Sequence, residues 1–266
     1  MLWDEGKNMN PSFLHQNRPL ICGMVLKDNP ADAKYCIKNS IYAGADALGI
    51  QLCRLKREFQ TEEHYKAIFA SCGGRPIYVT NYRYQQNEGL TDEACMNHLK
   101  TALTCGGTLA DIMGDTFDKT DGELTVNPDA VAKQMALINE IHDMGKEVLM
   151  SSHVLKFISA ERVLEIALEH QKRGADIAKI VTAANSDEEM LENFRATVLL
   201  KKKLKIPFLF LSGGTHSKLH RMIGSQLGCC MYLAVYEHDE VAVPTQPTIA
   251  AAKAVRDNLD FMPDVI

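Results

Sequence analysis

The sequence predicts an α/β fold made of a single (β/α)8 TIM barrel, on three observations. Short β-branched or apolar runs alternate with amphipathic segments at intervals of roughly thirty residues, the pattern of repeated βα units around a parallel sheet. Eight such runs are present. A chain of 266 residues with 46% apolar content also suits one barrel, and no linker divides it.

The runs begin near Ile21, Ala47, Pro76, Thr108, Glu147, Ile177, Pro207 and Cys230. Helical punctuation falls between them. Asn127-Pro128 opens a segment with Val131, Met135, Ile138 and Ile141 on its predicted apolar face, and Gly145 stops it. Ser186-Asp187-Glu188-Glu189 reads as a capping box ahead of Met190, Leu191 and Phe194. Two junctions echo each other four units apart, Ala43-Gly44-Ala45-Asp46 and Arg173-Gly174-Ala175-Asp176. Residues 1–20 lack periodicity and are read as an extension flanking the barrel, with Phe13 and Leu14 either covering its bottom or frayed. The barrel then occupies 21–266.

A net charge of -5 argues against a nucleic-acid or membrane-surface role. Lys201-Lys202-Lys203 reads as a solvated helix C-terminus. No stretch approaches the roughly 20 apolar residues of a membrane span, and the first seven residues lack the order of a signal peptide. The eight cysteines form no CxxC pair and read as reduced core thiols of a cytoplasmic protein. Only His216 and His220 approach metal-ligand spacing, and two ligands without a third do not make a site. Neither metal nor cofactor is expected.

The chemistry centres on Lys179, set in the apolar run Ile177-Ala178-Lys179-Ile180-Val181. Desolvation opposes the ammonium, so a lysine here tends toward a free amine able to attack a carbonyl. The ordinary alternative is a lysine at a strand end that snorkels to water and pairs with a carboxylate. The preceding strand ends in His153, which would face the amine across adjacent strands. Barrel active sites gather at the C-terminal ends of strands, where the late polar residues are Gln51, Arg83, Asp111, His153, Lys179 and Ser212. The loop Gly213-Gly214 through Arg221 offers backbone amides and an arginine to an anion. Residues 237–246 are long enough to close over the mouth. Each has a plainer reading: a turn at Gly213-Gly214, a rim histidine at 153, Arg83 paired with Glu88 or another acid, Arg221 on a helix surface. Taken together, the set implies a small keto-carboxylate substrate.

These residues resemble type I 3-dehydroquinate dehydratase over nearly the whole chain. Gly174-Ala175-Asp176-Ile177-Ala178-Lys179-Ile180 matches the family's Schiff-base strand and Ser151-Ser152-His153 its Ser-x-His. Leu211-Ser212-Gly213-Gly214 through Arg221 matches the loop whose arginine holds the substrate carboxylate. Pro244-Thr245-Gln246 resembles the closing loop, and Thr80-Asn81-Tyr82-Arg83 the third-strand arginine motif. The resemblance implies a Lys179 iminium, His153 as acid and base, and substrate contacts from Arg83, Arg221, Gln246, Gln51 and Ser212. It further implies dehydration of 3-dehydroquinate to 3-dehydroshikimate or action on a closely related cyclic hydroxy-keto acid, with no metal and a homodimeric assembly. Departures stand beside it. Gly49 and Gln51 replace a glutamate and an arginine on strand two, Met113 a glutamate on strand four, and Ala242 a serine in the closing loop; Glu88 falls five residues after Arg83 where four are expected. A class I aldolase-like Schiff-base lyase acting on a different keto-acid, or a non-catalytic carboxylate-binding relative, therefore stay open as alternatives.

Overall fold

The computed structural model describes residues 11–259. Expectations placed on residues 1–10 and beyond 259 lie outside the described residues. Strands and helices alternate as β1 (Leu20–Val25), α1 (Pro30–Tyr42), β2 (Ala47–Gln51), α2 (Glu62–Phe69), β3 (Ile77–Thr80), α3 (Asp92–Thr104), β4 (Leu109–Met113), α4 (Pro128–Asp143), β5 (Glu147–His153), α5 (Ala160–Lys172), β6 (Ile177–Ala183), α6 (Asp187–Lys203), β7 (Phe208–Gly213), α7 (Lys218–Ile223), β8 (Met231–Ala234) and α8 (Ile249–Asn258). All ladders are parallel and run β7-β6-β5-β4-β3-β2-β1-β8. Cys230 N donates to Phe208 O at 2.9 Å across the remaining seam, so the barrel is nearly closed. Among the described residues, no helix is long and apolar enough to cross a membrane.

Local chemistry fixes where the helices begin and end. Asn29, Thr61, Thr91, Asn127, Ser159, Ser186 and Thr248 each accept a backbone N–H of the first turn, and Pro30 and Pro128 occupy first helical positions. Gly44 and Gly174 have φ of 103° and 98°, which lets both echoing junctions turn from helix into strand. Their aspartates do the same work. Asp46 Oδ2 accepts from Ile21 N at 2.9 Å, and Asp176 Oδ2 from Val148 N at 2.8 Å, each pinning a strand start to its neighbour.

Two helices face inward differently from the expectation. In α4 the buried residues are Ala130, Gln134, Leu137, Ile138 and Ile141, while Met135 is exposed. Gln134 turns in because its amide nitrogen donates to Gly114 O and Thr116 O, at 3.1 and 2.8 Å. In α6 the buried face is Asn193, Ala196, Thr197 and Leu200, and Leu191 is exposed. Polar side chains with partners outside their own helix displaced apolar ones from the barrel side.

The barrel's lower end is plugged from outside the strands. Phe13 is 1% exposed and meets the Tyr78 ring edge-on at 6.4 Å, while its backbone N donates to Glu147 Oε2 at 2.9 Å. Ser12 bonds the other oxygen of that carboxylate. The segment before β1 is thus part of the packed core. Phe13→Ala should destabilise the protein by about 3 kcal/mol in urea unfolding, the loss expected for emptying a buried aromatic site. A change below about 1 kcal/mol would show the plug to be dispensable.

Candidate active site

Alternation along β6 sends Lys179 into the barrel, where 3% of it is exposed. Its Nζ donates to Tyr82 Oη at 2.7 Å, Asp111 Oδ2 at 3.1 Å and Tyr78 Oη at 3.2 Å. Each ammonium proton therefore has an acceptor. The lysine does not snorkel; it pairs with a carboxylate deep inside. Asp111 Oδ2 also accepts the Tyr82 hydroxyl at 2.6 Å and that of Tyr78, and Oδ1 accepts Ser151 Oγ at 2.6 Å. Burial pushes the Asp111 carboxyl up, but the Lys179 and His153 charges and the hydrogen bonds from Ser151 and Tyr78 outweigh it and hold it below the ordinary carboxylate value. Burial and then the Asp111 charge push both phenols well above theirs. They remain protonated donors.

The β5–β6 register pairs Ser151 with Lys179, so His153 stands one inward step nearer the mouth. Glu123, from the loop after β4, accepts His153 Nδ1 at 2.6 Å and His153 N at 3.1 Å on Oε2, and Tyr84 Oη at 2.6 Å on Oε1. Burial raises the Glu123 carboxyl, and these contacts overcome it to bring the pKa below the usual range. A carboxylate can only accept, so Nδ1 carries a proton, and Nε2 is the ring nitrogen left toward the cavity. The imidazole also meets the Tyr82 ring edge-on at 5.4 Å.

Lys179, His153, Arg221, Gln246, Gln51 and Arg54 line one cavity of about 400 Å³. That volume fits a small organic acid. Arg221 is 9% exposed, its Nε donates to Ser212 O at 2.5 Å, and among the described residues no carboxylate pairs with it. Burial brings its pKa down to about 10, so it stays charged at neutral pH. An enclosed guanidinium without a counter-ion is unfavourable, and an anionic ligand relieves it. Thr80 Oγ1, Thr245 Oγ1, Gln246 Oε1 and Arg54 Nε, all on this cavity's residues, are buried without a hydrogen-bond partner.

Two expected contact residues lie elsewhere. Arg83 forms ion pairs with Asp92 at 3.0 Å and Asp115 at 3.1 Å, and it does not line the cavity. Its neighbour Tyr82 points inward instead. Ser212 Oγ faces α6, where Asn193 Nδ2 donates to it at 2.9 Å; what it contributes to the site is the carbonyl that orients Arg221. Both placements follow from strand alternation, since Tyr78, Thr80 and Tyr82 share one face, as do Leu211 and Gly213. Position 49 is filled from the side. A Cβ on Gly49 would meet Met24 Sδ at 2.3 Å, so the thioether occupies the space a side chain there would need. Sequence reasoning missed Tyr78, Tyr82, Glu123 and Arg54. Periodicity signalled the two tyrosines; nothing local signalled Glu123.

A family model described as type I 3-dehydroquinase matches residues 21–261. The 3-dehydroquinate dehydratase of Aromatoleum aromaticum is 24% identical over 205 residues, 73% of this chain and 71% of that protein. That of Alkaliphilus oremlandii is 29% identical over 141 residues, which span about half of each, 52% and 53%. The solved 3-dehydroquinate dehydratase of Geobacillus kaustophilus superposes with a TM-score of 0.76 at 18% identity, covering 91% of both chains. A type I enzyme from Clostridium difficile gives 0.75 at 18% identity, covering 91% and 92%.

His216 and His220 do not face one another's site. His216 is half-buried beside Thr215, whereas His220 is enclosed against Thr197 Oγ1 at 2.8 Å and the Phe210 ring. Among the described residues, no group of three or more His, Cys, Asp or Glu is arranged to hold a metal ion. His170, behind β5, is equally enclosed and bonds Ser152 Oγ at 2.9 Å. Burial, then the charge of the adjacent arginine, brings His170 and His220 down to about 3. Both are neutral when folded but take a proton when unfolded below about 6.5, so their contribution is complete above that pH and is lost as pH falls toward 3. Between pH 7.5 and 5.5 each should remove about 1 kcal/mol of unfolding free energy. His220→Asn should remove its share of that slope, and an unchanged slope would show that His220 is protonated in the folded protein.

Proposed function

The chain belongs to the type I 3-dehydroquinase family, and from that premise we propose that it is a Schiff-base hydro-lyase dehydrating 3-dehydroquinate, or a closely related cyclic hydroxy-keto acid, to the conjugated enone. The observation that carries this reading is an enclosed arginine that no carboxylate pairs among the described residues, opening on the same cavity as an enclosed lysine and a histidine held through Nδ1 by a carboxylate. A keto-carboxylate matches all three. Arg221 takes the carboxylate, Lys179 the ketone, and Nε2 of His153 a proton from the carbon between the ketone and the leaving hydroxyl.

In this reading Lys179 Nζ condenses with the ketone and releases water. The iminium lowers the barrier to deprotonation of the adjacent carbon by accepting its electron pair, giving an enamine. His153 holds that proton on Nε2 while Glu123 stabilises the imidazolium through Nδ1. The enamine pair then returns, the C–O bond breaks, and the hydroxyl leaves as water with the proton from His153. Hydrolysis of the conjugated iminium frees the lysine. Gln246 and Thr245, from the loop above the mouth, line the same cavity as neighbours for substrate hydroxyls.

A second reading has its own observation. Met24 fills the space beside Gly49, leaving a thioether where the family's glutamate would stand. A polyol face there would lose about 1 to 3 kcal/mol for each unmet hydrogen bond, which favours a less hydroxylated keto-acid processed by the same amine.

Incubation with 3-dehydroquinate, with enone formation followed by absorbance and borohydride then added, separates the two. Enone with a reduced adduct on Lys179 supports the dehydratase. An adduct with other keto-acids and not with dehydroquinate selects the second reading, while enone formation at full rate by Lys179→Ala would sink both. Arg221→Lys should raise KM by about 10- to 100-fold, the loss of one charged hydrogen bond, with a smaller change in kcat.

A further inference from the structure

Imine formation moves protons at the amine itself. Two protons must leave nitrogen and two must reach the ketone oxygen before it departs as water. His153, held through Nδ1 by Glu123, is not among the groups bonded to Lys179 Nζ. Beside the amine stand Tyr82 and Asp111. The Tyr82 hydroxyl lies 2.7 Å from Lys179 Nζ and donates to Asp111 Oδ2 at 2.6 Å, and that same carboxylate oxygen lies 3.1 Å from Nζ. The three atoms form a closed triangle of hydrogen bonds.

We propose that Tyr82 is a catalytic acid of imine formation, handing protons to the carbinolamine oxygen while Asp111 collects them from Lys179. The inference rests on Lys179 being the nucleophile. An oxygen on the carbon that Nζ attacks is a close neighbour of Nζ, so a phenol bonded to Nζ is within reach of it as well. Tyr82 rather than Tyr78 fits this role. Tyr82 is the more accessible, at 9% against 0%, and its ring borders His153, whereas Tyr78 lies beneath it against the Phe13 plug.

The protons balance over two passes of one relay. First, the Lys179 ammonium gives a proton to Asp111 and the freed lone pair attacks the ketone carbon. The C–N bond forms and the carbonyl π pair moves to oxygen. As Tyr82 passes its proton to that oxygen, protonated Asp111 restores the phenol. Second, the now cationic nitrogen gives another proton to Asp111, and Tyr82 protonates the carbinolamine hydroxyl. The C–O bond breaks, water leaves, the nitrogen lone pair closes the iminium, and Asp111 again restores Tyr82. The relay ends as it began.

The test is rapid-quench borohydride trapping with 3-dehydroquinate, following the reduced Lys179 adduct with time in three proteins. These are wild type, Tyr82→Phe, and a form carrying 3-fluorotyrosine at position 82, which keeps the hydroxyl but ionises at lower pH. Tyr82→Phe should form adduct about 100-fold more slowly, the usual contribution of a general acid, with the fluorinated form at or above the wild-type rate. The alkaline limb of the adduct-forming rate should move to lower pH in the fluorinated form, which a merely structural phenol would not cause. Adduct formation by Tyr82→Phe within about threefold of wild type overturns the inference while leaving the Schiff-base reading intact. Absence of any adduct on wild type overturns both. Should Tyr82→Phe fail to fold, the pH profile of the fluorinated form decides, and an unmoved alkaline limb overturns the role.

Discussion

The ion pair of Lys179 and Asp111 in the middle of the barrel is the constraint to which the site is fitted. Taking two such charges out of water is opposed by several kcal/mol per ion, and their attraction offsets this only with good geometry and every remaining donor and acceptor satisfied. Here that condition is met by side chains from four strands or their immediate ends. Tyr78 and Tyr82 come from β3, Asp111 from β4, Ser151 from β5 and Lys179 from β6. No ammonium proton is idle, and both carboxylate oxygens accept. Such a unit is rigid because moving any member strands another. It also explains why a barrel interior otherwise filled with apolar side chains carries two phenols at this level.

The same satisfaction sets the chemical problem. A fully bonded ammonium is a poor nucleophile, so attack on a carbonyl requires the pair to exchange a proton when substrate arrives. The rest of the mouth supplies the incentive. Among the described residues, no carboxylate pairs with the enclosed Arg221, and Arg54 has a buried Nε without an acceptor. Lys179 already has Asp111 beside it, so an arriving carboxylate is drawn to Arg221 rather than to the lysine. The carboxylate of Glu123 lies on the far side of His153, where it fixes the imidazole's tautomer without competing for the amine.

Most of the barrel was readable from the sequence because its signals are local. Eight apolar runs, side-chain caps at Asn29, Asn127 and Ser186, and left-handed glycines at 44 and 174 each act within a few residues. Lys179 and His153 were readable for the same reason, being polar residues late in neighbouring strands. Arg83 and Ser212 are read as substrate contacts from their late strand positions and family motifs, and alternation places their side chains on the other face from Tyr82, Leu211 and Gly213. Applied strictly, the period of two that identifies β3 also selects Tyr78 and Tyr82. Glu123 was beyond reach by any such rule. It sits in a loop with φ of 54°, tied back by Ser152 Oγ to its carbonyl at 2.7 Å, and meets His153 only because β4 and β5 are adjacent. The buried faces of α4 and α6 escaped in a related way, since Gln134 and Asn193 are drawn inward by distant partners.

The space at position 49 is settled by two residues together. A side chain at Gly49 would meet Met24 Sδ at 2.3 Å and Cys22 Sγ at 3.2 Å, so the glycine and the methionine are one packing solution on β1 and β2. A methionine is flexible enough to yield, but its thioether would have to vacate an enclosed position and leave a gap or find another. The lower part of that wall is consequently apolar, and the polar groups on the same side sit higher, at Gln51, Thr80 and Arg54. A ligand oxygen directed low on β2 meets sulfur and forfeits its hydrogen bond, whereas one nearer the mouth finds donors and acceptors without partners. Selectivity on this side of the cavity is therefore a matter of depth. In the proposed reading, Lys179 and Arg221 fix where a substrate's ketone and acid go, and the Met24–Gly49 pair decides which of its remaining oxygens are welcome.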